Sequence, residues 1–177
     1  ASNLNEMMQV INGNSGNCLI APAIFKHINL TGEFHGVSNI FTQGGLAHAQ
    51  PQQINQRHSH VFLMMQDQIK LEASDLPWKE ITDWLSKITI PVVPFGLGAN
   101  SMQHMPMELA KNLPHDMVRF LNVLSEKSAY ISTRSHYSSD VLTSLGIKNI
   151  SITGCPSYFA RGPFFLAKKT ALTAKQK

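Results

Sequence analysis

The segment Ile90-Pro91-Val92-Val93-Pro94-Phe95-Gly96-Leu97-Gly98 joins an apolar strand, residues 90–95, to two closely spaced glycines. Residues 60–65 form a second compact apolar run, which is typical of a strand buried on both faces. Between these runs, residues 77–87 predict an amphipathic helix: Pro77 stands at its start, and its apolar residues lie on one side (Trp78, Ile81, Trp84 and Leu85). This strand–helix–strand succession predicts that the two strands are parallel.

The same alternation of apolar strands and helices continues along the chain. We predict further strands over residues 7–11, 37–41, 130–132 and 149–153, and further helices over residues 18–28, 113–128 and 137–145. Ser138 or Ser139 is expected near the start of the last helix and Gly146 at its end. Residues 43–57 indicate a loop or a ragged helix. The pattern predicts an α/β protein with a three-layer, Rossmann-like, open and mostly parallel sheet.

Ligands of such sheets bind outside the carboxyl ends of the strands. Five loops follow predicted strands and are candidate binding loops: residues 12–17, 66–68, 96–104, 133–137 and 154–157. In the first loop, Asn14, Ser15, Gly16 and Asn17 place free backbone N–H groups before a helix, where they can hold a phosphate or carboxylate. The loop has neither the P-loop nor the dinucleotide-binding spacing. The alternative is a tight turn capped by Ser15 or Asn17.

The later loops contain the side chains best suited to bind an anion. Gly96 and Gly98 permit close approach of the backbone to a ligand. Arg134 directly follows a short strand and suits bidentate binding of phosphate or carboxylate, and His136 could face the same ligand. His104 is a candidate for ligand contact or acid–base catalysis, and the alternative is a structural hydrogen bond.

The remaining serine, histidine and cysteine signals are weaker. Ser157 lies in a turn without a Gly-x-Ser-x-Gly elbow, which weakens a serine-hydrolase interpretation. His58 and His60 would share one face of a strand, but no third ligand has suitable spacing, so no metal site is predicted. Cys18 and Cys155 have neither metal-type spacing nor a disulfide framework, so we expect a reducing, cytoplasmic setting.

Composition and charge restrict the function classes. The chain of 177 residues suits one domain, and its 43% hydrophobic residues exclude wholesale disorder. Its net charge is +4, but four of its 15 Lys and Arg residues lie in residues 168–177, which leaves 11 basic residues against 11 acidic ones. A neutral body argues against nucleic acid as a partner, and no apolar run approaches the ~18 residues of a transmembrane helix. We expect a Rossmann-like domain over residues 1–160 and a basic, disordered tail over residues 161–177.

Several segments, in this order and spacing, resemble the polysaccharide pyruvyl transferase family. They are residues 91–99 (PVVPFGLGA), residues 113–114 (LP), residues 120–126 (FLNVLSE), residues 131–142 (ISTRSHYSSDVL), residues 145–149 (LGIKN) and residues 153–157 (TGCPS). Residues 14–17 are also similar to the family's N-terminal loop, although the last position is often acidic in the family and is Asn17 here. The resemblance covers about residues 9–160.

The resemblance implies transfer of a pyruvyl group from phosphoenolpyruvate to a sugar, which forms a pyruvate ketal on an exopolysaccharide or cell-wall glycan. It also implies the N-terminal half of a glycosyltransferase-B-type fold, with phosphoenolpyruvate as donor substrate and no further cofactor. We predict Arg134 as the anion clamp and His104 as the acid–base residue. The predicted substrate-binding residues are Asn14, Ser15, Gly16, Asn17, Gly96, Gly98, His136 and Ser157.

The family's second half, which supplies further basic and histidine residues to the cleft, would begin just after Ser157. We therefore expect either a truncated gene product or a second chain that completes the site, and the activity of this chain alone stays open. One alternative is a non-catalytic sugar- or phosphate-binding remnant. The other is half of a nucleotide-sugar glycosyltransferase, which would need a nucleotide-binding loop in a C-terminal domain.

Overall fold

The computed structural model describes Ala23, which is helical, and residues 45–71, 76–101 and 105–159. In chain order, these residues form a 3-10 helix (Gly45–His48), α1 (Pro51–Arg57), β1 (Val61–Met64), α2 (Trp78–Ser86), β2 (Val92–Phe95), α3 (Pro106–Asn112), α4 (His115–Lys127), β3 (Ile131–Thr133), α5 (His136–Ser144), β4 (Ile150–Ile152) and a second 3-10 helix (Pro156–Phe159). The α/β class predicted from the sequence is confirmed.

The chain divides into two compact units. One unit is Phe34–Thr153, which holds all four strands and α1 to α5. The other unit combines Ala1–Glu33 with Gly154–Lys177, and its described part is Ala23 and the segment from residue 154 to 159. The domain predicted over residues 1–160 and the tail predicted over residues 161–177 stay predictions.

The strand pairs formed by the described residues of the larger unit are parallel. β1 pairs with β2 in the register Val61 to Val92, and β3 pairs with β4 in the register Ile131 to Ile150. An isolated parallel bridge between Leu97 and Thr133 links the end of β2 to β3. The lateral order is therefore β1-β2-β3-β4, so the carboxyl ends of neighbouring strands lie along one edge. We refer to this edge as the carboxyl edge.

The helices follow the apolar periodicity of the sequence. In α2, Trp78, Ile81, Trp84 and Leu85 are buried, while Lys79 and Asp83 form an exposed pair at 3.1 Å. The Trp78 ring packs on Phe120 of α4 with a centroid distance of 5.0 Å. Full burial of such aromatic side chains contributes about 1.5–3 kcal/mol each, so this contact fixes α2 against α4.

A lysine at the end of α4 satisfies two backbone carbonyls, one at the last residue of α2 and one just beyond it. Lys127 Nζ donates to the carbonyls of Ser86 at 3.1 Å and Ile88 at 2.6 Å. The last carbonyls of a helix have no partner within the helix, and a cation is favourable there. This contact also fixes the segment that enters β2.

Two helix predictions differ from the structure. α5 begins at His136, and Ser135, rather than Ser138 or Ser139, caps it: Ser135 Oγ accepts from Ser138 N at 3.2 Å. The helix α3 was not predicted from the sequence. The predicted helix end at Gly146 is confirmed by its φ of 86°, a conformation that glycine adopts without a Cβ penalty. The strands predicted over residues 7–11 and 37–41 and the helix over residues 18–28 lie outside the described residues, apart from Ala23.

Candidate functional site at the carboxyl edge

Arg134 follows β3 at the carboxyl edge and bonds to backbone atoms that follow two other strands, β1 and β2. Its backbone N–H donates to Leu97 O at 3.0 Å, just beyond β2. In its side chain, Nε donates to Gly96 O at 2.7 Å and Nη2 donates to Met65 O at 3.2 Å. The side chain is only 15% exposed. The guanidinium is therefore held in one place by backbone atoms that follow β1 and β2.

The charge of Arg134 is balanced by one carboxylate. Arg134 Nη1 donates to Asp67 Oδ1 at 3.2 Å, and the Asp67 side chain is 45% exposed. Three of the five guanidinium N–H donors are engaged by these bonds within the described residues. Arg134 therefore has a structural role at this edge, and two of its donors are not used by any described residue.

The two glycines of the segment after β2 are required for different reasons. Gly96 has a φ of 69°, which strains any residue with a Cβ, and its N–H donates to Ser132 Oγ at 3.0 Å. A Cβ on Gly98 would lie 2.0 Å from Asp67 Oδ1 and 3.2 Å from Arg134 Cδ. Gly98 therefore leaves the space that the Arg134–Asp67 pair occupies.

Hydroxyl groups fix the segment after β2 against the neighbouring elements. Ser138 Oγ accepts from Ala99 N at 2.9 Å and lies 3.0 Å from Ser135 Oγ. On the other side, Ser132 Oγ lies 2.5 Å from Thr153 Oγ1. These bonds connect residues 96–99 to the start of α5 and to β3, so the backbone around Arg134 is rigidly placed.

Among the described residues of the larger unit, three of the predicted site residues lie together. Gly96, Gly98 and Arg134 form one cluster, and His136 is the exposed first residue of α5, two positions after Arg134. Ser157 belongs to the smaller unit, where its Oγ lies 3.0 Å from Cys155 Sγ. His104 and the predicted loop Asn14, Ser15, Gly16 and Asn17 lie outside the described residues.

Sequence reasoning missed Asp67, the acidic partner of Arg134. The loop 66–68 had been expected among the binding loops because it follows a strand, but no residue within it was singled out. The signal was the parallel order of the strands: carboxyl ends of adjacent strands meet at one edge, so polar residues that follow them become neighbours. Asp67 and Arg134 are 67 residues apart in sequence and still form an ion pair.

Two shallow clefts lie away from this cluster. One, of about 480 Å³, lies between the end of α4 and the turn before β4, and its walls include Glu126 and Lys148. The other, of about 300 Å³, lies between α3 and the end of α5 and is lined by Met107, Ala110 and Leu145 among others. Neither cleft contains a predicted site residue.

The described residues contain no candidate metal centre. No three His, Cys, Asp or Glu side chains there lie close enough together to hold a metal ion. None of the helices from α1 to α5 combines the length and the apolar character that crossing a membrane requires.

Comparisons of the chain with protein-family models, with curated proteins and with solved structures found no match. The resemblance to pyruvyl transferases therefore rests on the sequence segments quoted above and stays a prediction. The geometry at the carboxyl edge is the independent ground for assigning a function.

Proposed function

We propose that this chain is the N-terminal, Rossmann-like half of a polysaccharide pyruvyl transferase-like protein. Its reaction would transfer the pyruvyl group of phosphoenolpyruvate to a sugar of an exopolysaccharide or cell-wall glycan. The observation that carries the proposal is the Arg134 guanidinium, held at the ends of three parallel strands beside Gly98. Binding at the carboxyl ends of strands is the rule for open α/β sheets.

The chemistry of the donor matches such a site. Phosphoenolpyruvate carries a phosphate and a carboxylate, and a guanidinium binds either one through paired N–H donors. In the reaction, two hydroxyls of the sugar form bonds to the central carbon. One of their protons is transferred to the methylene carbon, and phosphate leaves with the other. We assign anion binding to Arg134, whose fixed position avoids reorganisation when the anion arrives.

The proton transfers need groups other than Arg134, because a guanidinium is not deprotonated in proteins. A histidine titrates near neutral pH and can move both protons, so His104 is the proposed acid–base residue. His136, exposed beside the edge, is proposed to contact the acceptor sugar. By the resemblance, further groups come from a second Rossmann-like half.

The test is an assay of ketal formation and phosphate release with phosphoenolpyruvate and oligosaccharide acceptors. Arg134→Lys keeps the charge but loses the planar fork, so we expect at least a tenfold loss of turnover, and a larger loss for Arg134→Ala. The matched control is Arg119→Lys, which alters an exposed arginine–aspartate pair between α4 and α2 and involves no residue of the Arg134 cluster. Equal and measurable turnover of Arg134→Lys and the unmodified chain would refute the assignment. Absence of both turnover and phosphoenolpyruvate binding by calorimetry in the unmodified chain would refute it as well.

A non-catalytic anion- or sugar-binding role is the second candidate. The observation in its favour is that the chain itself already engages three of the Arg134 donors. This role predicts binding of phosphoenolpyruvate by calorimetry without release of phosphate. The proposed cytoplasmic location is supported by the cysteine pattern, since a disulfide framework is lacking in the sequence.

A further inference from the structure

The carboxylate of Asp67 is not needed to hold Arg134 in place. The guanidinium is fixed by two backbone carbonyls, Met65 O at 3.2 Å and Gly96 O at 2.7 Å, whatever Asp67 does. Both carbonyls belong to rigid parallel strand ends and carry only partial charges. Asp67 therefore supplies the one full negative charge among the described groups that bond to Arg134.

The position of this carboxylate is one that a small anion could take. Asp67 Oδ1 lies in the space that Gly98 leaves open, 2.0 Å from where a Cβ would be, and 3.2 Å from Arg134 Nη1. The Asp67 side chain is 45% exposed, whereas Arg134 is 15% exposed. Among the described residues, Arg134 is the hydrogen-bonding partner of this carboxylate. Asp67 can therefore turn towards solvent while the cation stays where it is.

We infer that Asp67 is an internal competitor that occupies the anion site of Arg134, and that a carboxylate or phosphate ligand binds by displacing it. This inference rests on the anion-binding role proposed for Arg134. The ligand oxygen takes the place of Asp67 Oδ1 above Gly98. The exchange replaces one charge-assisted hydrogen bond by another, so the mostly buried cation is paired with an anion both before and after it.

The competition has a direct consequence for affinity. An anion that binds the unmodified chain must first break the Asp67 bond, and exposed ion pairs are worth up to about a fivefold change in an equilibrium constant. Removal of the carboxylate charge should therefore tighten anion binding by about fivefold. A residue that merely positioned Arg134 would have the opposite effect, because its loss would weaken binding.

The experiment is calorimetric titration of the full chain with inorganic phosphate, with pyruvate and with phosphoenolpyruvate. Asp67→Asn keeps the shape and removes the charge, and Asp67→Ala also empties the space above Gly98. Both variants are expected to bind at least one of the three anions about fivefold more tightly than the unmodified chain. The phosphate and pyruvate titrations distinguish which end of phosphoenolpyruvate the site takes.

The matched control is Asp83→Asn, which frees the exposed Arg119 from its 3.0 Å pair without changing the carboxyl edge. Anion affinity of this variant should stay unchanged, and adding Arg134→Gln to Asp67→Asn should remove the gain. Unchanged or weaker binding in both folded Asp67 variants, no measurable binding in any of them, or an equal gain in Asp83→Asn would overturn the inference.

The inference and the proposed function fail separately. If Asp67→Asn binds phosphate more tightly but no variant forms a ketal, the anion competition is supported and pyruvyl transfer is refuted. If a ketal forms but Asp67→Asn does not change the affinity for any of the anions, the proposed function is supported and the competition is refuted.

Discussion

At the scale of single residues, the absence of a side chain at Gly98 is as important as the presence of Arg134. The Cβ of an alanine at this position would lie 2.0 Å from Asp67 Oδ1 and 3.2 Å from Arg134 Cδ. We expect Gly98→Ala to lower the free energy of unfolding by about 1–3 kcal/mol, the usual cost of overpacking. Urea denaturation of the two proteins gives this difference directly.

The source of that cost is testable by a double-mutant cycle. Since the closest atom belongs to Asp67, Asp67→Ala should relieve most of the clash, with a coupling of about 1 kcal/mol or more. Gly146→Ala is the control: its φ of 86° predicts a cost of about 1 kcal/mol, and nothing lies within 4 Å of its Cβ. Strict additivity of Gly98→Ala and Asp67→Ala would contradict the packing explanation.

At the scale of elements, the start of α5 depends on one serine. Ser135 Oγ accepts the backbone N–H of Ser138 at 3.2 Å, so Ser135→Ala should cost about 1 kcal/mol of stability. Ser139→Ala should change stability by less than about 0.5 kcal/mol, because alanine is a good helix former in the interior of α5. Thermal unfolding of both variants measures the contrast, and equal costs would contradict the assignment of the cap.

The contact between α2 and α4 should depend on pH through Asp83. A hydrogen bond from Lys79, together with the charges of Lys79 and Arg119, holds the pKa of Asp83 below its ordinary value of 3.8. These partners therefore stabilise the folded state above about pH 3.8, where Asp83 is ionised in both states. As the pH falls below this value, the unfolded chain takes up the proton first, and the stabilisation is lost.

Thermal unfolding between pH 2 and pH 6 tests this effect. The difference between the unmodified chain and Asp83→Asn should be largest near pH 6 and should shrink below about pH 3.8. Because Asp83 is exposed, 1 M salt should reduce the difference at every pH. A difference that persists at pH 2 would show that Asp83 acts through packing or hydrogen bonding instead.

Element prediction succeeded where the apolar pattern is unambiguous. β1, β2, α2 and α4 coincide with apolar runs of the sequence. The burial predicted on both faces of β1 is wrong, since Leu63 is its one buried residue. The helix α3 was missed because its apolar pattern is weak: Leu109 and Ala110 are its buried residues, and its start is stabilised by Glu108 accepting the Met105 N–H at 3.2 Å. Seven residues with two buried positions carry too little periodicity to be recognised.

At the scale of the whole molecule, predicting the site from the sequence depends on predicting the order of the strands. Arg134 and the two glycines were identifiable because each follows an apolar run that ends at the carboxyl edge. The hydrogen bonds of Arg134 to Met65 O, Gly96 O and Asp67 could not be identified from the sequence, because they depend on the register of three strands. A one-residue shift in register would separate these groups, and parallel strands joined through helices have no hairpin turn that fixes their register.

The distribution of charge over the whole chain leads to the last prediction. Four of the 15 basic residues lie in residues 168–177, and the other 11 are balanced by 11 acidic residues, so any affinity for DNA should come from those four lysines. With four phosphate contacts, the logarithm of the binding constant should fall with that of salt concentration with a slope no steeper than about −4. Replacing Lys168, Lys169, Lys175 and Lys177 by glutamine should abolish DNA binding and leave phosphate binding at Arg134 unchanged. DNA affinity that survives these substitutions would show that the neutral body presents a basic surface of its own, and the Arg134 edge would then be a candidate for binding a nucleic-acid phosphate.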